Sequence, residues 1–157
     1  RGTKADVWEA GHRVPFFARW PGVIEPGSKC ARTTAHVDLF ATCAEITGAK
    51  LLDDVAEDSF SWLPLFRGGD WAKPRAPVIN HSAAGIFALR SGKWKLVAGN
   101  GSGGREAPKG KPFGKPYRLF DLSSDLGERN DLAKAKPDLV GKLTSQLVAI
   151  RASGRSR

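Results

Sequence analysis

Hydrophobic and polar positions change their period along the chain. Val14-Pro15-Phe16-Phe17-Ala18 is a continuous apolar run closed by Trp20-Pro21-Gly22, the pattern of a short buried strand. From Val37 to Thr47 the spacing is helical. Val37, Phe40, Ala44 and Thr47 lie near one face with Cys43 beside it, and Gly48 is placed to end the helix. Beyond residue 76 the pattern turns to short strands: Pro77 to Ser82, Ile86 to Arg90, Trp94 to Ala98 and Tyr117 to Leu122. Ser91-Gly92-Lys93 suits a hairpin connection between the middle two. From Pro137 to Ala152 the spacing is helical again, with proline fit for the first turn and Leu139, Leu143, Leu147 and Ile150 in one stripe. The pattern predicts a small four-stranded antiparallel sheet with that last helix packed on it, an α+β arrangement. The Gly- and Pro-containing stretch Gly68 to Ala76 marks a boundary, giving regions 1–72 and 73–157.

Length and composition narrow the class. A chain of 157 residues can bury a real core, and its apolar fraction of 41% is that of a globular protein. It starts on Arg1 and contains no methionine, which reads as a piece of a longer chain. No apolar run approaches the roughly 20 residues that span a bilayer. The net charge of +9 suits a polyanionic partner, but the basic residues are spread, with Lys109 to Lys115 and Arg151 to Arg157 the densest places. The tryptophans are scattered and no RNA-recognition signature is present. The bland reading is a solvated basic surface, and the tail Ser153 to Arg157 reads as frayed.

Few residues carry obvious chemistry. Cys30 lies in a polar loop and Cys43 in the first helix, where it reads as a small core residue. Their spacing excludes a C-x-x-C metal or redox site and leaves a bridge between them open. Serine, histidine and aspartate all occur, but without the G-x-S-x-G elbow of a hydrolase triad. Ser61 reads as a cap or loop hydrogen-bonder. The glycine-dense Gly99 to Gly104 lacks the phosphate-loop and dinucleotide patterns and reads as a flexible surface loop. Asp121, Asp125, Glu128 and Asn130 do not keep EF-hand spacing and read as a turn locked by side-chain hydrogen bonds. Lys4 sits in a small-residue approach to the Glu9-Ala10-Gly11 corner, where a lysine can present a point charge to an anion.

Five ordered motifs resemble the formylglycine-dependent, type I sulfatases of the arylsulfatase kind. Gly2, Lys4, Glu9, Gly11, Arg13, Val14, Pro15 and Trp20-Pro21-Gly22 fall in register with G-x-K-x-x-x-x-E-G-G-x-R-V-P followed by W-P-G, Ala10 replacing one glycine. Asp38, Leu39 and Thr42 match D-L-x-P-T with Ala41 for the proline, and Asp58 and Ser61 match D-G-x-S with Ser59 for the glycine. Gly85, Phe87, Ala88, Arg90, Gly92, Lys93, Trp94 and Lys95 match G-x-F-A-x-R-x-G-K-[WY]-K. Leu119-Phe120-Asp121-Leu122, Asp125, Glu128, Asn130 and Leu132 resemble L-[YF]-D-L-x-x-D-P-x-E-x-x-N-L, with Leu126 for the proline and one residue fewer after Glu128.

The resemblance implies the end of a large α/β catalytic domain followed by the small sheet domain. It implies hydrolysis of aryl or carbohydrate sulfates, with Lys4 reaching the sulfate. The small sheet is then expected beside the active-site mouth, making His81, Asn100 and Ser102 candidate substrate-binding residues. Calcium and a cysteine-derived formylglycine belong to the parent enzyme. Neither Cys30 nor Cys43 lies in the C-x-P-S-R context of that nucleophile, so the chain alone is expected to hold no metal and to be inactive without the rest of its parent. A periplasmic or extracellular location is implied in the same way. The alternative is an independent basic module binding nucleic acid or another polyanion.

Overall fold

Four short strands run as an antiparallel meander in the computed structural model, which describes residues 1–157. They are β1 (Val78–His81), β2 (Phe87–Ser91), β3 (Trp94–Ala98) and β4 (Arg118–Asp121), paired in chain order. Their register sets Leu89 opposite Leu96 and Leu96 opposite Leu119, while Ala88 faces Val97 and Lys95 faces Phe120. Side chains alternate across a pleated sheet, so these sets lie on opposite faces.

On one face, α3 (Pro137–Ser153) places Leu143 and Leu147 against Leu89, Leu96, Ala98 and Leu119, with Leu139 and Ile150 at the margins. This is the stripe read from the sequence, and burying each leucine contributes about 1.5–3 kcal/mol. The other face carries Ala88, Val97 and Phe120, covered by Val7 and Trp8. Trp8 meets Phe120 edge-on at 6.2 Å, and the Arg1 guanidinium lies 3.8 Å over the indole. Segment Arg1–Val14 and residues Pro77–Ala152 thus form one compact unit.

The second unit comprises Pro15–Ala76 and Ser153–Arg157. It contains α1 (Asp38–Thr47) and a single turn, α2 (Leu63–Phe66). The amides of Gly48 and Ala49 close α1 by donating to the carbonyls of Glu45 (3.3 Å) and Ala44 (2.8 Å). The buried face of α1 differs from the expected apolar one. Val37 and Phe40 are more than half exposed, whereas Asp38, Ala41, Thr42 and Ala44 are buried. Hydrogen bonding selected that face. Asp38 accepts from the Ala35 and Phe60 amides, Trp62 Nε1 and the Arg75 guanidinium, and Thr42 Oγ1 accepts from the Trp62 amide at 2.8 Å. Asp38 is therefore a buried, ion-paired hub at the start of α1. Cys43 points away from that face, and both cysteines are exposed free thiols.

Three further expectations need correction. Val14 to Ala18 forms no strand, because no neighbouring strand is present to pair its backbone, and Phe17 is 91% exposed. Gly99 to Gly104 is not an open loop: most of it is buried, pinned by Ser102 N–H to the Pro108 carbonyl at 2.9 Å and by Gly103 N–H to that of Lys109 at 2.6 Å. The tail is held rather than frayed, with Arg157 donating to the carbonyls of Leu52, Val55 and Glu57. The 121–131 turn is locked by side chains as expected. Asp121 Oδ1 accepts from the Ser123 amide and hydroxyl, Asp125 Oδ2 from the Arg129 and Asn130 amides, and Asp131 Oδ1 from Leu119 and Ala133. Ser61 Oγ accepts from the Leu63 amide at 3.1 Å, the loop role read for it.

Candidate functional site

Lys4 stands on a tight turn, Thr3 to Asp6, closed by the Asp6 amide donating to the Thr3 carbonyl at 3.0 Å. Ala5 takes φ +84° there, a left-handed conformation costly for a residue with a Cβ. The next corner, a turn of 3-10 helix at Glu9–Gly11, packs directly on this turn. A Cβ on Gly11 would stand 2.4 Å from the Asp6 carbonyl oxygen and 2.8 Å from that of Thr3, so only glycine fits. Lys4 is exposed and makes no hydrogen bond or ion pair. It is a cation without a counter-charge on a backbone held from several sides.

Two loops of the sheet clamp this turn. From the β1–β2 connection, the Ala83 amide donates to the Ala5 carbonyl at 2.9 Å. From the loop after β3, Ser102 offers its carbonyl to the Val7 amide at 2.9 Å, and Gly103 offers its own to the Ala84 amide at 2.8 Å. The amides of Arg105 and Glu106 donate to Asp6 Oδ1 at 2.6 and 3.1 Å. Gly104 passes so close that a Cβ there would lie 2.4 Å from the Ala5 carbonyl oxygen. Three segments distant in sequence are knitted into one patch around Lys4.

The other predicted site residues sit on the same elements. His81 ends β1 with an exposed side chain. Its Nδ1 lies 2.9 Å from the Ser82 carbonyl, which can only accept, so in the neutral ring Nδ1 carries the proton and Nε2 is an acceptor. The Asn100 side chain bridges within its loop, Oδ1 accepting from the Lys111 amide at 2.8 Å and Nδ2 donating to the Lys115 carbonyl at 3.3 Å. Ser102 is fully buried; its hydroxyl donates to the Glu106 carbonyl and accepts from the Gly104 amide. Lys4 and His81 are thus the two of the four whose side chains face solvent.

Sequence reasoning missed the support beneath the patch. Glu9, 4% exposed, receives Lys95 Nζ at 3.3 Å and Arg90 at 2.8 Å, and its own amide donates to Glu128 Oε2 at 2.6 Å. Lys95 also lies 2.8 Å from Glu128 Oε1, and both side chains are buried. Glu9, Arg90, Lys95 and Glu128 belong to three of the motifs, and their opposite charges were the available signal that these segments meet. His12 adjoins this network. Burial and the nearby Lys95 charge hold its imidazole pKa below the ordinary value, against Glu9 and a hydrogen bond to the Val7 backbone, and its Nε2 is buried without a partner. No group of three His, Cys, Asp or Glu side chains is placed to hold a metal ion.

The chain is 30% identical over 153 residues to an N-acetylgalactosamine-6-O-sulfatase of Bacteroides thetaiotaomicron, covering 96% of this chain and 30% of that protein. It is 32% identical over 174 residues to the steryl-sulfatase of Mus musculus, covering 99% of this chain and 27% of the relative. A Bacteroides thetaiotaomicron structure from work on the metabolism of multiple glycosaminoglycans superposes on 97% of the chain with a TM-score of 0.81 and 29% identity, and the chain covers 32% of it. The chain therefore spans about 30% of the length of the relatives it matches, as a C-terminal portion. No family model matches it.

Proposed function

The chain is a relative of the sulfatases, and we propose that it forms the C-terminal part of an enzyme hydrolysing sulfate esters of carbohydrates, with Lys4 contacting the sulfate. The observation that carries this reading is the lone exposed Lys4 on its clamped turn, in a chain matched end to end by sulfatases. Sulfate-ester cleavage builds negative charge on the sulfate oxygens and the leaving oxygen. A fixed ammonium stabilises that charge most when it need not reorganise during the reaction. A lysine already neutralised by a carboxylate could not do so. His81, on the same patch with Nε2 free to accept, is placed to contact a hydroxyl of the sugar.

A sulfated carbohydrate is favoured because the bacterial relative is named for a 6-O-sulfated amino sugar, and the charge of +9 draws polyanions. Nothing in the comparisons supports the nucleic-acid alternative. No three of the chain's own histidine, cysteine or carboxylate side chains converge on one point. The nucleophile and any metal belong, on this reading, to the remainder of the protein. That remainder is also a partner for the apolar side chains left in water, among them Phe17, Val37 and Phe40. The same reading places the protein in the periplasm or outside the cell.

The test is Lys4→Ala in the full-length protein. We expect kcat/KM on a sulfate ester to fall by about 2–4 kcal/mol of transition-state stabilisation, the scale of one lost electrostatic partner. The melting temperature should stay unchanged, because the side chain is exposed and unpaired. Wild-type turnover by the variant would refute the role.

A further inference from the structure

Asp6 is fully buried two residues after Lys4, at a position the first motif leaves open. Its two carboxylate oxygens divide their work. Oδ2 accepts from the Thr3 amide at 2.8 Å and the Thr3 hydroxyl at 3.4 Å, closing the turn on itself. Oδ1 accepts from the amides of Arg105 and Glu106, tying the turn to the loop that follows β3. A buried carboxylate without donors would be expelled or protonated; here four donors surround it. Burial pushes its pKa up, but the hydrogen bonds from Thr3, Glu106 and Arg105 together outweigh that and hold it below the ordinary aspartate value. The same turn carries the left-handed Ala5, a conformation that persists only when its surroundings fix it.

We propose that Asp6 is the positioning residue of the site. Its carboxylate locks the strained Thr3–Asp6 turn to the 102–106 loop, so that the backbone from which the Lys4 side chain extends is fixed before substrate arrives. The proposal rests on the reading of Lys4 as the sulfate contact and adds the group that fixes its point of attachment. Asp6 touches no substrate; it acts through Lys4. An acceptor able to serve both Thr3 and the 105–106 amides needs two oxygens set apart in a plane, which a carboxylate has and a carboxamide has only in part. Loss should therefore grade from Asp6→Asn to Asp6→Ala.

Two measurements test it. The first is amide hydrogen exchange in the full-length protein, read at the amides of this chain. The amides of Thr3, Arg105 and Glu106 lose their acceptor directly in Asp6→Ala, so they are uninformative. The informative ones are the Asp6 and Ala83 amides, whose acceptors are backbone carbonyls of the turn. We expect their exchange to accelerate ten-fold or more while the amides paired between β2 and β3 keep theirs. Unchanged protection at Asp6 and Ala83 overturns the proposal. If Asp6→Ala does not fold, Asp6→Asn gives the same comparison at smaller amplitude.

The second is a double-mutant cycle in the full-length protein with nitrophenyl sulfate. Asp6→Ala should cut kcat/KM ten-fold or more when Lys4 is present and have little further effect in Lys4→Ala, while lowering the melting temperature equally in both. A loss of equal size in both backgrounds overturns the positioning role, since stability alone would act without Lys4. Full activity of Lys4→Ala would instead sink the sulfate-contact reading, leaving exchange at Asp6 and Ala83 to decide whether Asp6 fixes the turn.

Discussion

The two faces of the small sheet are covered by opposite means. One lies under α3, a regular helix whose leucines meet Leu89, Leu96 and Leu119 in a wholly apolar layer. The other lies under Arg1–Val14, which has one turn of 3-10 helix and otherwise no regular structure. That cover brings Trp8 down on Phe120 and also carries Glu9 down to Lys95 and Glu128, so charge is buried inside it. The helical face can slide or exchange one aliphatic side chain for another at modest cost. The irregular face cannot, because each buried charge accepts only a partner of opposite sign at the right place. The face that carries Lys4 is the one secured by directional contacts.

Removing the central cation should break this contrast most sharply. Lys95→Met keeps the length of the side chain but leaves Glu128 without a counter-charge and Glu9 dependent on Arg90 and Arg13. We expect a loss of about 3–5 kcal/mol, the cost of orphaning a buried charge. Adding Glu128→Gln to Lys95→Met should return part of that loss, which a purely steric defect would not do. Denaturant unfolding of the two variants decides it.

On the other face, Leu147→Ala should cost about 2–5 kcal/mol from lost transfer energy and the cavity left behind. Leu147 is fully buried in the helical layer. Because that layer is apolar, the loss should be indifferent to salt and to pH between about 5 and 8. The Lys95→Met loss, by contrast, should shrink when Glu128→Gln is added, whereas Glu128→Gln should return nothing to Leu147→Ala. An equal response of both variants to Glu128→Gln would remove the distinction between the faces.

The same contrast explains what could be read from the chain alone. The strands and the α3 stripe follow from apolar period, a local property visible within about ten residues. Lys4 could be singled out because a motif with fixed spacing surrounds it. The clamp on Lys4 was not, because Asp6 meets Arg105 and Glu106 across about a hundred residues and no period records that meeting. The glycine loop was misread for a related reason: Gly104 is small so that backbone can approach Asp6 and Ala5, Gly101 so that it can approach the 108–110 backbone, and composition alone cannot distinguish close approach from freedom. For Val14 to Ala18 the period suggested a strand, but pairing needs a neighbour that the chain does not provide. On α1, polar partners at Asp38 and Thr42 overrode the apolar stripe.

The smallest effect concerns His12, which samples the charged face without bridging it. Its imidazole is partly buried, faces Lys95, Glu9 and His81, and leaves Nε2 unpartnered. Burial first, and then Lys95, disfavour its charged form, so its folded pKa lies below the ordinary value of about 6.5. The unfolded chain then takes up the proton before the folded one. Between the unfolded and the depressed folded pKa, the unfolded state binds more protons, and stability must fall as pH falls. Above about pH 6.5 both states hold a neutral ring and the effect is absent. Melting temperatures measured from pH 7.5 down to 5.5 should therefore decline, at pH values where most carboxylates remain ionised. His12→Gln, which cannot take up a proton, should flatten that decline while leaving the Leu147 layer untouched. A slope identical in His12→Gln and wild type would show that the buried charges beside it, not the imidazole, set the pH response of this face.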